Sequence, residues 1–221
     1  MMKKGTVFFD YDGTLHNSML TYGPAFREVY SDLVKRGYLT YQDLTDEEIS
    51  RWLGWTVEDM WTTFAPELPR SVWMPASKEI GRIMEERLLA GQSGLFPGIK
   101  EALVELRELG YELVFLSNCG RDYRDKHLDA FGIKNLFSAA YTAEEFDFIP
   151  KWQIYQQVAT RHSAPHVMVG DRFHDIEVAT HAGICSIGCA WGFGDPAELE
   201  SATLVIDNPD DIVCAVKELI G

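Results

Sequence analysis

The sequence predicts an α/β fold in which a doubly wound, mostly parallel sheet carries an inserted all-helical domain. Continuous apolar runs at 7–9, 113–116 and 167–169 indicate buried strands. Runs of this kind, each followed by a helical pattern, are typical of a parallel sheet covered by helices on both faces. About one hundred residues separate the first run from the second, far more than a single crossover helix requires. The excess predicts a separate insertion.

The remaining elements of the α/β core follow from β-rich runs and from the helical segments between them. Strands are predicted at 112–116, 138–142, 167–170, 184–187 and 204–206. Helices are predicted at 99–109, 122–130, 151–161, 175–182 and 209–219. Gly110, Gly132 and Gly183 follow three of these helices, as helix-ending glycines do. Asn208 and Pro209 suit the N-cap and first position of the last helix.

The insertion is expected over 17–94, which leaves 1–16 and 95–221 for the α/β core. Its signals are helical throughout. One face of a first helix carries Phe26, Val29, Tyr30, Leu33 and Val34. The segment 45–48 has the pattern of a capping box, Thr56 begins another short helix, and 77–89 forms a longer amphipathic one. These features predict an all-helical cap domain over the edge of the sheet.

Composition narrows the class of protein. The chain of 221 residues has 20 Lys and Arg against 34 Asp and Glu, a net charge of −14, which argues against nucleic acid or an anionic membrane as a partner. No apolar stretch approaches the length of a membrane span, and the N-terminal residues lack the pattern of a signal peptide. We therefore expect a cytoplasmic protein, monomeric or homodimeric, with its four cysteines as reduced, mostly buried thiols.

The run at 7–9 leads directly into Asp10-Tyr11-Asp12-Gly13-Thr14. Burying unpaired carboxylates is costly, so this pair requires a cation, a proton or solvent. Its spacing suits a division of labour in which one carboxylate attacks as a nucleophile and the other transfers protons. The alternative interpretation is a strand that ends in a turn with an Asx cap.

The other predicted strands also end in polar residues. Ser117 and Asn118 follow one strand, and Asp171 and Asp175 follow another. Because the carboxyl ends of parallel strands share one edge of a sheet, Asp10, Asp12, Ser117, Asp171 and Asp175 are expected to converge. Each has a structural alternative: Ser117 as a turn or cap residue, and Asp175 as a first-turn acid favoured by the helix dipole.

These residues stand in a recognisable order: DYDGT, then Ser117, then Lys151 at the start of a helix, then the GDRFHD segment at 170–175. In this the chain resembles the haloacid dehalogenase-like hydrolase superfamily over nearly its whole length. The segments 96–98 and 175–183 resemble its phosphoglycolate phosphatase-like branch. The resemblance implies a magnesium-dependent phosphatase that hydrolyses a small phosphorylated metabolite through an aspartyl-phosphate.

The resemblance also implies a role for each site residue. Asp10 is the expected nucleophile, and Asp12 the acid that protonates the leaving alcohol and then activates water. Ser117, Asn118 and Lys151 are expected to contact the phosphoryl group, with Lys151 supplying positive charge. The alternative for Lys151 is a solvated surface lysine. The expected Mg²⁺ ligands are Asp10, the backbone carbonyl of Asp12, and Asp171, with Asp175 orienting the metal shell directly or through water, since Mg²⁺ prefers oxygen ligands.

The chain departs from the family pattern in two places. Lys151 is followed by Trp152, where the family often has proline, and His16 and Asn17 stand where an acid commonly follows the first motif. We expect His16 to be a loop histidine or a polar contact at the cap. Arg51, in the segment RWLGW at 51–55, resembles the family's substrate-specificity loop and would pair with a substrate carboxylate; the alternative is a surface helix arginine.

Several other activities are compatible with the same fold. Within catalysis, the alternative to a phosphatase is a sugar phosphomutase or another phosphotransferase of the superfamily. Asp12 disfavours a dehalogenase, and Arg51, where a phosphonate hydrolase needs a lysine, disfavours that activity. Outside catalysis, a phosphoacceptor domain or a regulatory binding protein is the alternative. The inserted helices and Asp12 argue against the first of these, and the intact set of acids argues against the second.

Overall fold

The computed structural model describes residues 3–221 and contains two compact units. The larger unit joins the N-terminal segment, up to Asn17, with Leu95–Gly221, and the smaller unit is Ser18–Gly94. Within the described residues, no helix has the length and apolar character needed to cross a membrane.

The larger unit contains one six-stranded sheet in which every strand pair is parallel. Its strands are β1 (Thr6–Phe9), β2 (Glu112–Ser117), β3 (Ala139–Thr142), β4 (His166–Gly170), β5 (Cys185–Cys189) and β6 (Leu204–Ile206). The spatial order β3-β2-β1-β4-β5-β6 places β1 in the centre, with the chain winding outward on both sides. Phe9 is in register with Phe115 of β2 and Val169 of β4, so the three strands end at the same edge. The predicted doubly wound parallel sheet is confirmed.

The smaller unit is helical. Its helices are α1 (Met19–Lys35), α2 (Asp46–Ser50), α3 (Val57–Phe64) and α4 (Arg70–Leu89). The predicted capping box is formed: the Thr45 hydroxyl accepts from the backbone N–H of Glu48, and the Glu48 carboxylate accepts from that of Thr45. At α3 the Thr56 hydroxyl accepts from the backbone N–H of Asp59, which caps the helix without the reciprocal bond of a capping box. Phe26 and Trp61 lie in the core of this unit.

Helices cover both faces of the sheet in the larger unit: α5 (Ile99–Glu108), α6 (Arg121–Ala130), α7 (Lys151–Val158), α8 (Phe173–Ala182) and α9 (Ile212–Ile220). Alternate residues of β1 face opposite layers. Phe8 packs in a core with Ile154 of α7, whereas Phe9 belongs to the core that contains Leu103 of α5 and Val216 of α9.

The structure corrects several predicted boundaries. α4 begins at Arg70 rather than at 77, and it accommodates Pro75 inside the helix. α8 begins two residues earlier than predicted, at Phe173. Asn208 precedes a 3₁₀ turn at Pro209–Asp211 rather than α9, which begins at Ile212, and its side chain makes no cap bond. Cys214 is exposed, so the expectation of a buried thiol is wrong there.

Candidate active site

The centre of the site is a buried lysine between two carboxylates. Asp10 directly follows β1, and its backbone N–H donates to the carbonyl of Val169 in β4. Lys151, the first residue of α7, places its Nζ 2.8 Å from Asp10 Oδ1 and 2.6 Å from Asp175 Oδ1. All three side chains are nearly inaccessible to solvent. The structure therefore brings Lys151 into the acid cluster, and the surface-lysine alternative is wrong.

Asp175 has a second contact that belongs to its helix. Its Oδ2 accepts a hydrogen bond from the backbone N–H of Arg172, 3.1 Å away, at the N-terminus of α8. The carboxylate thus caps the helix with one oxygen and binds the Lys151 ammonium with the other. Asp175 is therefore both a first-turn acid of its helix and a member of the acid cluster.

Asp171 follows β4 and is completely buried. Its Oδ1 accepts from the Thr14 hydroxyl at 3.0 Å, and its Oδ2 accepts from the backbone N–H of Phe193 at 2.8 Å. The loop after β5 is held near this carboxylate, and the indole N–H of Trp191 in that loop donates to the carbonyl of Thr14. Asp171 is thereby fixed from both sides.

Burial and mutual repulsion make this cluster hard to ionise fully. Burial, followed by the charge of Asp175, raises the pKa of Asp10 to about 7, although Lys151 acts in the opposite direction. Burial and the charges of Asp10 and Asp175 raise the pKa of Asp171 well above its usual range. Burial alone would lower the pKa of Lys151, but the two neighbouring carboxylates raise it, so the ammonium stays charged.

The donor set fits a hard divalent cation. One oxygen from each of Asp10, Asp171 and Asp175 lies within 4.8 Å of the others, and all three residues are buried. The cluster has three buried carboxylates but one ammonium, which contacts Asp10 and Asp175, and a bound cation would offset the negative charge that the ammonium does not balance. Carboxylate oxygens are the ligands that Mg²⁺ prefers. The predicted contribution of the Asp12 backbone carbonyl stays a prediction.

Asp12 directs its side chain to a different group of residues. Its Oδ1 accepts a hydrogen bond from the Tyr123 hydroxyl at 2.7 Å and lies 3.1 Å from Nδ1 of His16. The Tyr123 hydroxyl and His16 Nδ1 are themselves 3.3 Å apart. The two carboxylates of the DYDGT segment therefore have different partners: Asp10 contacts an ammonium, and Asp12 contacts a phenol and an imidazole.

An aromatic cluster supports this arrangement. His16 is completely buried and stacks on Tyr11, with ring centroids 5.1 Å apart. Tyr123 stacks on His127 at 3.8 Å, and His127 Nδ1 lies 3.0 Å from the Tyr11 hydroxyl. Burial, followed by the charge of His16, lowers the pKa of His127 to about 3. Burial and the charge of Asp12 raise the pKa of Tyr123 well above its ordinary value, so its hydroxyl remains a donor.

Ser117 is the last residue of β2 and is buried at the same edge of the sheet. Asn118 follows it, partly exposed. Cys119, the next residue, is close enough to the site for burial and the charges of Asp12 and Asp10 to raise the pKa of its thiol. The Ser117-Asn118 turn therefore lies beside the two aspartates, as the strand order predicted, while its contacts to a ligand stay a prediction.

Arg51 lies in the smaller unit, at the C-terminus of α2, and its side chain is exposed. Its guanidinium carbon lies 5.0 Å from the ring centroid of Trp52. Trp52 in turn packs edge-on against Trp55. The guanidinium is thus placed over an aromatic surface, and its role toward a substrate stays a prediction.

Sequence reasoning missed the partners of Asp12 and the supports of Asp171. His16 was expected in a loop but is fully buried against Asp12, because the chain turns back after Gly13 and the backbone N–H of His16 donates to the carbonyl of Tyr11. Tyr123 lies more than one hundred positions from Asp12, so only the fold brings them together. The closely spaced Gly192 and Gly194 after β5 were the available signal for a loop that approaches Asp171.

The fold and the site define a class of hydrolase. The family model of haloacid dehalogenase-like hydrolases matches residues 7–189, so the chain belongs to that family, and the family prediction is confirmed. A phosphoglycolate phosphatase from Synechococcus elongatus is 27% identical, with 97% of this chain and 98% of the relative covered. A phosphoglycolate phosphatase from Mannheimia succiniciproducens is 28% identical over 84% of this chain and 85% of the relative.

Solved structures with lower identity share the fold. The crystal structure of a predicted phosphatase from Clostridium acetobutylicum has a TM-score of 0.82 at 19% identity and covers 99% of this chain and 100% of its own. A β-phosphoglucomutase from Clostridium difficile has a TM-score of 0.76 at 15% identity, with 99% and 97% covered. At these identities the likeness concerns the fold alone.

Proposed function

We propose that this chain is a magnesium-dependent phosphatase that hydrolyses a small phosphate monoester through an aspartyl-phosphate on Asp10. The observation that carries the proposal is the buried cluster of Asp10, Asp171 and Asp175, in which Lys151 pairs with Asp10 and Asp175. Asp12 is held by a different donor, the Tyr123 hydroxyl. A nucleophilic carboxylate beside fixed positive charge, and a second carboxylate held by other donors, are the parts that phosphoryl transfer needs.

In the first step, an oxygen of Asp10 attacks phosphorus and the bond from phosphorus to the ester oxygen breaks. Lys151 orients the attacking carboxylate through its 2.8 Å contact and offsets part of the charge that repels a phosphate dianion. Asp12 donates a proton to the departing alkoxide, so the alcohol leaves neutral. Ser117 and Asn118 would donate hydrogen bonds to the phosphoryl oxygens.

In the second step, Asp12, now a carboxylate, takes a proton from water, and the water oxygen attacks phosphorus. The bond between phosphorus and Asp10 breaks, which releases inorganic phosphate and restores the free carboxylate. Mg²⁺ held by Asp10, Asp171 and Asp175 would supply the charge neutralisation that a phosphoryl group requires. The fixed hydrogen bonds from Thr14 and Phe193 hold Asp171 ready for that role.

The substrate class that we propose is a small carboxylated phosphate ester such as 2-phosphoglycolate. Two relatives covering most of this chain carry the name phosphoglycolate phosphatase, and Arg51 offers an exposed guanidinium of the kind that pairs with carboxylates. We further propose that the smaller unit, Ser18–Gly94, acts as the substrate-selecting cap.

The test is release of inorganic phosphate from 2-phosphoglycolate and from 4-nitrophenyl phosphate, with Mg²⁺ and with a chelator. We expect turnover with Mg²⁺ and its loss on chelation. Asp10→Asn should lower kcat by at least about a thousandfold on both esters, because it removes the nucleophile. Asp122→Asn is the matched control, since this exposed residue pairs with Lys126 on the surface. The kcat of this variant should stay near that of the wild type.

Two results would reject the proposal. Near-normal turnover by Asp10→Asn would exclude Asp10 as the nucleophile, and full activity in the chelator would exclude the metal. Transfer of the phosphoryl group between positions of a sugar phosphate, without release of phosphate, would instead identify a phosphomutase.

A further inference from the structure

Two residues outside the DYDGT segment, Tyr123 and His16, hold the side chain of Asp12. The Tyr123 hydroxyl donates to Asp12 Oδ1 at 2.7 Å, and His16 Nδ1 is 3.1 Å from the same oxygen. A hydrogen bond to a carboxylate is stronger than one between neutral groups. Two such contacts at one oxygen restrict the rotation of the carboxylate about its side-chain torsions.

The two holding groups are themselves immobilised. His16 is completely buried between the rings of Tyr11 and His127, with centroids 5.1 Å and 4.8 Å away. Tyr123 stacks on His127 at 3.8 Å. Such closely packed aromatic rings do not change rotamer without displacing their neighbours. The position of Asp12 is therefore fixed from α6 and from the turn after β1 together.

We propose that Tyr123 and His16 are positioning residues for proton transfer by Asp12. The inference rests on the proposed function, in which Asp12 gives a proton to the leaving alcohol. Proton transfer requires the carboxyl group within hydrogen-bond reach of that oxygen. A carboxylate that rotates freely would occupy this position for only part of the time, and the rate would fall in proportion.

The role has a signature that separates it from general structural support. An ester with a good leaving group, such as 4-nitrophenyl phosphate, needs little protonation of its leaving oxygen, whereas an alkyl ester such as ethyl phosphate needs it fully. General acid catalysis contributes about 10²–10⁴-fold. Tyr123→Phe should therefore lower kcat/KM for ethyl phosphate by about tenfold or more and change kcat/KM for 4-nitrophenyl phosphate far less.

Tyr11→Phe is the matched control. It removes a hydroxyl from the same aromatic cluster, but that hydroxyl contacts His127 rather than Asp12. We expect Tyr11→Phe to change kcat/KM for the two esters by the same small factor. Two variants test His16 in the same way. His16→Leu removes the ring nitrogens, whereas His16→Asn keeps an amide that can donate from the position of Nδ1. We expect His16→Leu to lower kcat/KM for ethyl phosphate more than for 4-nitrophenyl phosphate, and His16→Asn to restore the wild-type ratio of the two kcat/KM values.

Affinity for Mg²⁺, measured by titration calorimetry without substrate, supplies a readout independent of turnover. It should be unchanged in Tyr123→Phe, since the Tyr123 hydroxyl bonds the side chain of Asp12, whereas the expected metal ligands are the acid cluster and the backbone carbonyl of Asp12. Weakened Mg²⁺ binding would show that the substitution acts through that cluster, which would overturn the proposal. Equal losses of kcat/KM on both esters would overturn it as well, because they would indicate a structural role. If the wild-type protein releases phosphate neither from these two esters nor from 2-phosphoglycolate, the proposed function itself fails, and the positioning role fails with it.

Discussion

At the scale of single residues, the space around Asp171 is limited by glycines. A Cβ atom at Gly192 would lie 2.1 Å from the Asp171 Cβ, and one at Gly13 would lie 2.2 Å from Asp171 Oδ2. Gly13 also has a φ of 89°, which side chains rarely adopt. The missing side chains allow two loops to approach Asp171 closely enough to donate the hydrogen bonds that fix it. The position of the carboxylate thus depends on neighbours that have no side chain.

Gly192→Ala should therefore damage the site through contact with Asp171. The added methyl group must push the carboxylate away from Asp10 and Asp175, so we expect Mg²⁺ affinity, measured by titration calorimetry, to fall about tenfold or more, as it does when supports of metal ligands are removed. Gly81→Ala is the control, because its Cβ would meet nothing within 4 Å and it lies inside α4.

Gly81→Ala should leave Mg²⁺ affinity unchanged and stabilise the fold by about 0.5–1 kcal/mol, the gain of alanine over glycine in a helix. Unchanged Mg²⁺ binding by a folded Gly192→Ala protein would show that Asp171 tolerates displacement or is not a ligand.

At the scale of elements, β2 is tied to its surroundings at the end opposite the site. Glu112, its first residue, accepts from Lys3 Nζ at 2.7 Å and lies 3.2 Å from His162 Nδ1. The Thr6 hydroxyl of β1 is 3.3 Å away, and the backbone N–H of Ser163 is 3.4 Å away. Burial alone would raise the pKa of Glu112, but the hydrogen bonds from Lys3, His162 and Ser163 together lower it. The charged carboxylate therefore stabilises the junction of β1, β2 and the segment before β4.

Because the folded-state pKa of Glu112 is lowered, its stabilising contribution is complete above the pKa of an unfolded glutamate, about 4.3. It is lost as the pH falls through the lower folded-state pKa. Glu112→Gln should reduce the free energy of unfolding by about 1–2 kcal/mol near neutral pH. The difference from the wild type should shrink below about pH 4.5. Urea unfolding between pH 3.5 and 7 measures it.

Glu105→Gln provides the comparison for this prediction. Glu105 is exposed and pairs with Lys217 at 3.5 Å on the surface, a contact worth little. The free energy of unfolding of Glu105→Gln should therefore differ little from that of the wild type at any pH between 3.5 and 7. A Glu112→Gln difference that stays constant down to pH 3.5 would show that the carboxylate charge is not what stabilises the junction.

At the scale of the whole molecule, the proposed chemistry and the proposed substrate choice fall to different units. The acid cluster belongs to the larger unit, whereas Arg51 belongs to the smaller one. If Arg51 binds a substrate carboxylate, Arg51→Ala should raise KM for 2-phosphoglycolate about tenfold or more, the scale of a lost charge-assisted contact. It should leave KM for 4-nitrophenyl phosphate, which has no carboxylate, nearly unchanged. Steady-state kinetics on both esters measure the difference.

Arg70→Ala is the matched control for Arg51→Ala. Arg70 is also an exposed arginine of the smaller unit, with its guanidinium carbon 5.7 Å from the ring centroid of Trp73. Its removal should leave both KM values unchanged. Equal KM increases for the two esters in Arg51→Ala would make Arg51 a general surface residue rather than a specificity determinant.

The sequence alone determined the sheet, the family and the acids at the strand ends. Apolar runs and the polar residues that follow them are local patterns, and parallel strands place their carboxyl ends together whatever the remaining packing. The strand-end positions of Asp10, Asp171 and Asp175 therefore sufficed to predict one cluster, whereas the place of Lys151 in it was implied by the family resemblance. The Thr45 capping box was predictable for the same reason, because its two partners lie three residues apart.

Only the tertiary structure decided what holds those acids in place. Tyr123 reaches Asp12 and Phe193 reaches Asp171 because helices and loops far apart in the chain pack together. His16 lies near Asp12 in sequence, yet its burial depends on rings from α6 that no local pattern identifies. Short-range periodicity encodes which face of an element is buried, but the partner across a core is selected by shape and contact among distant segments.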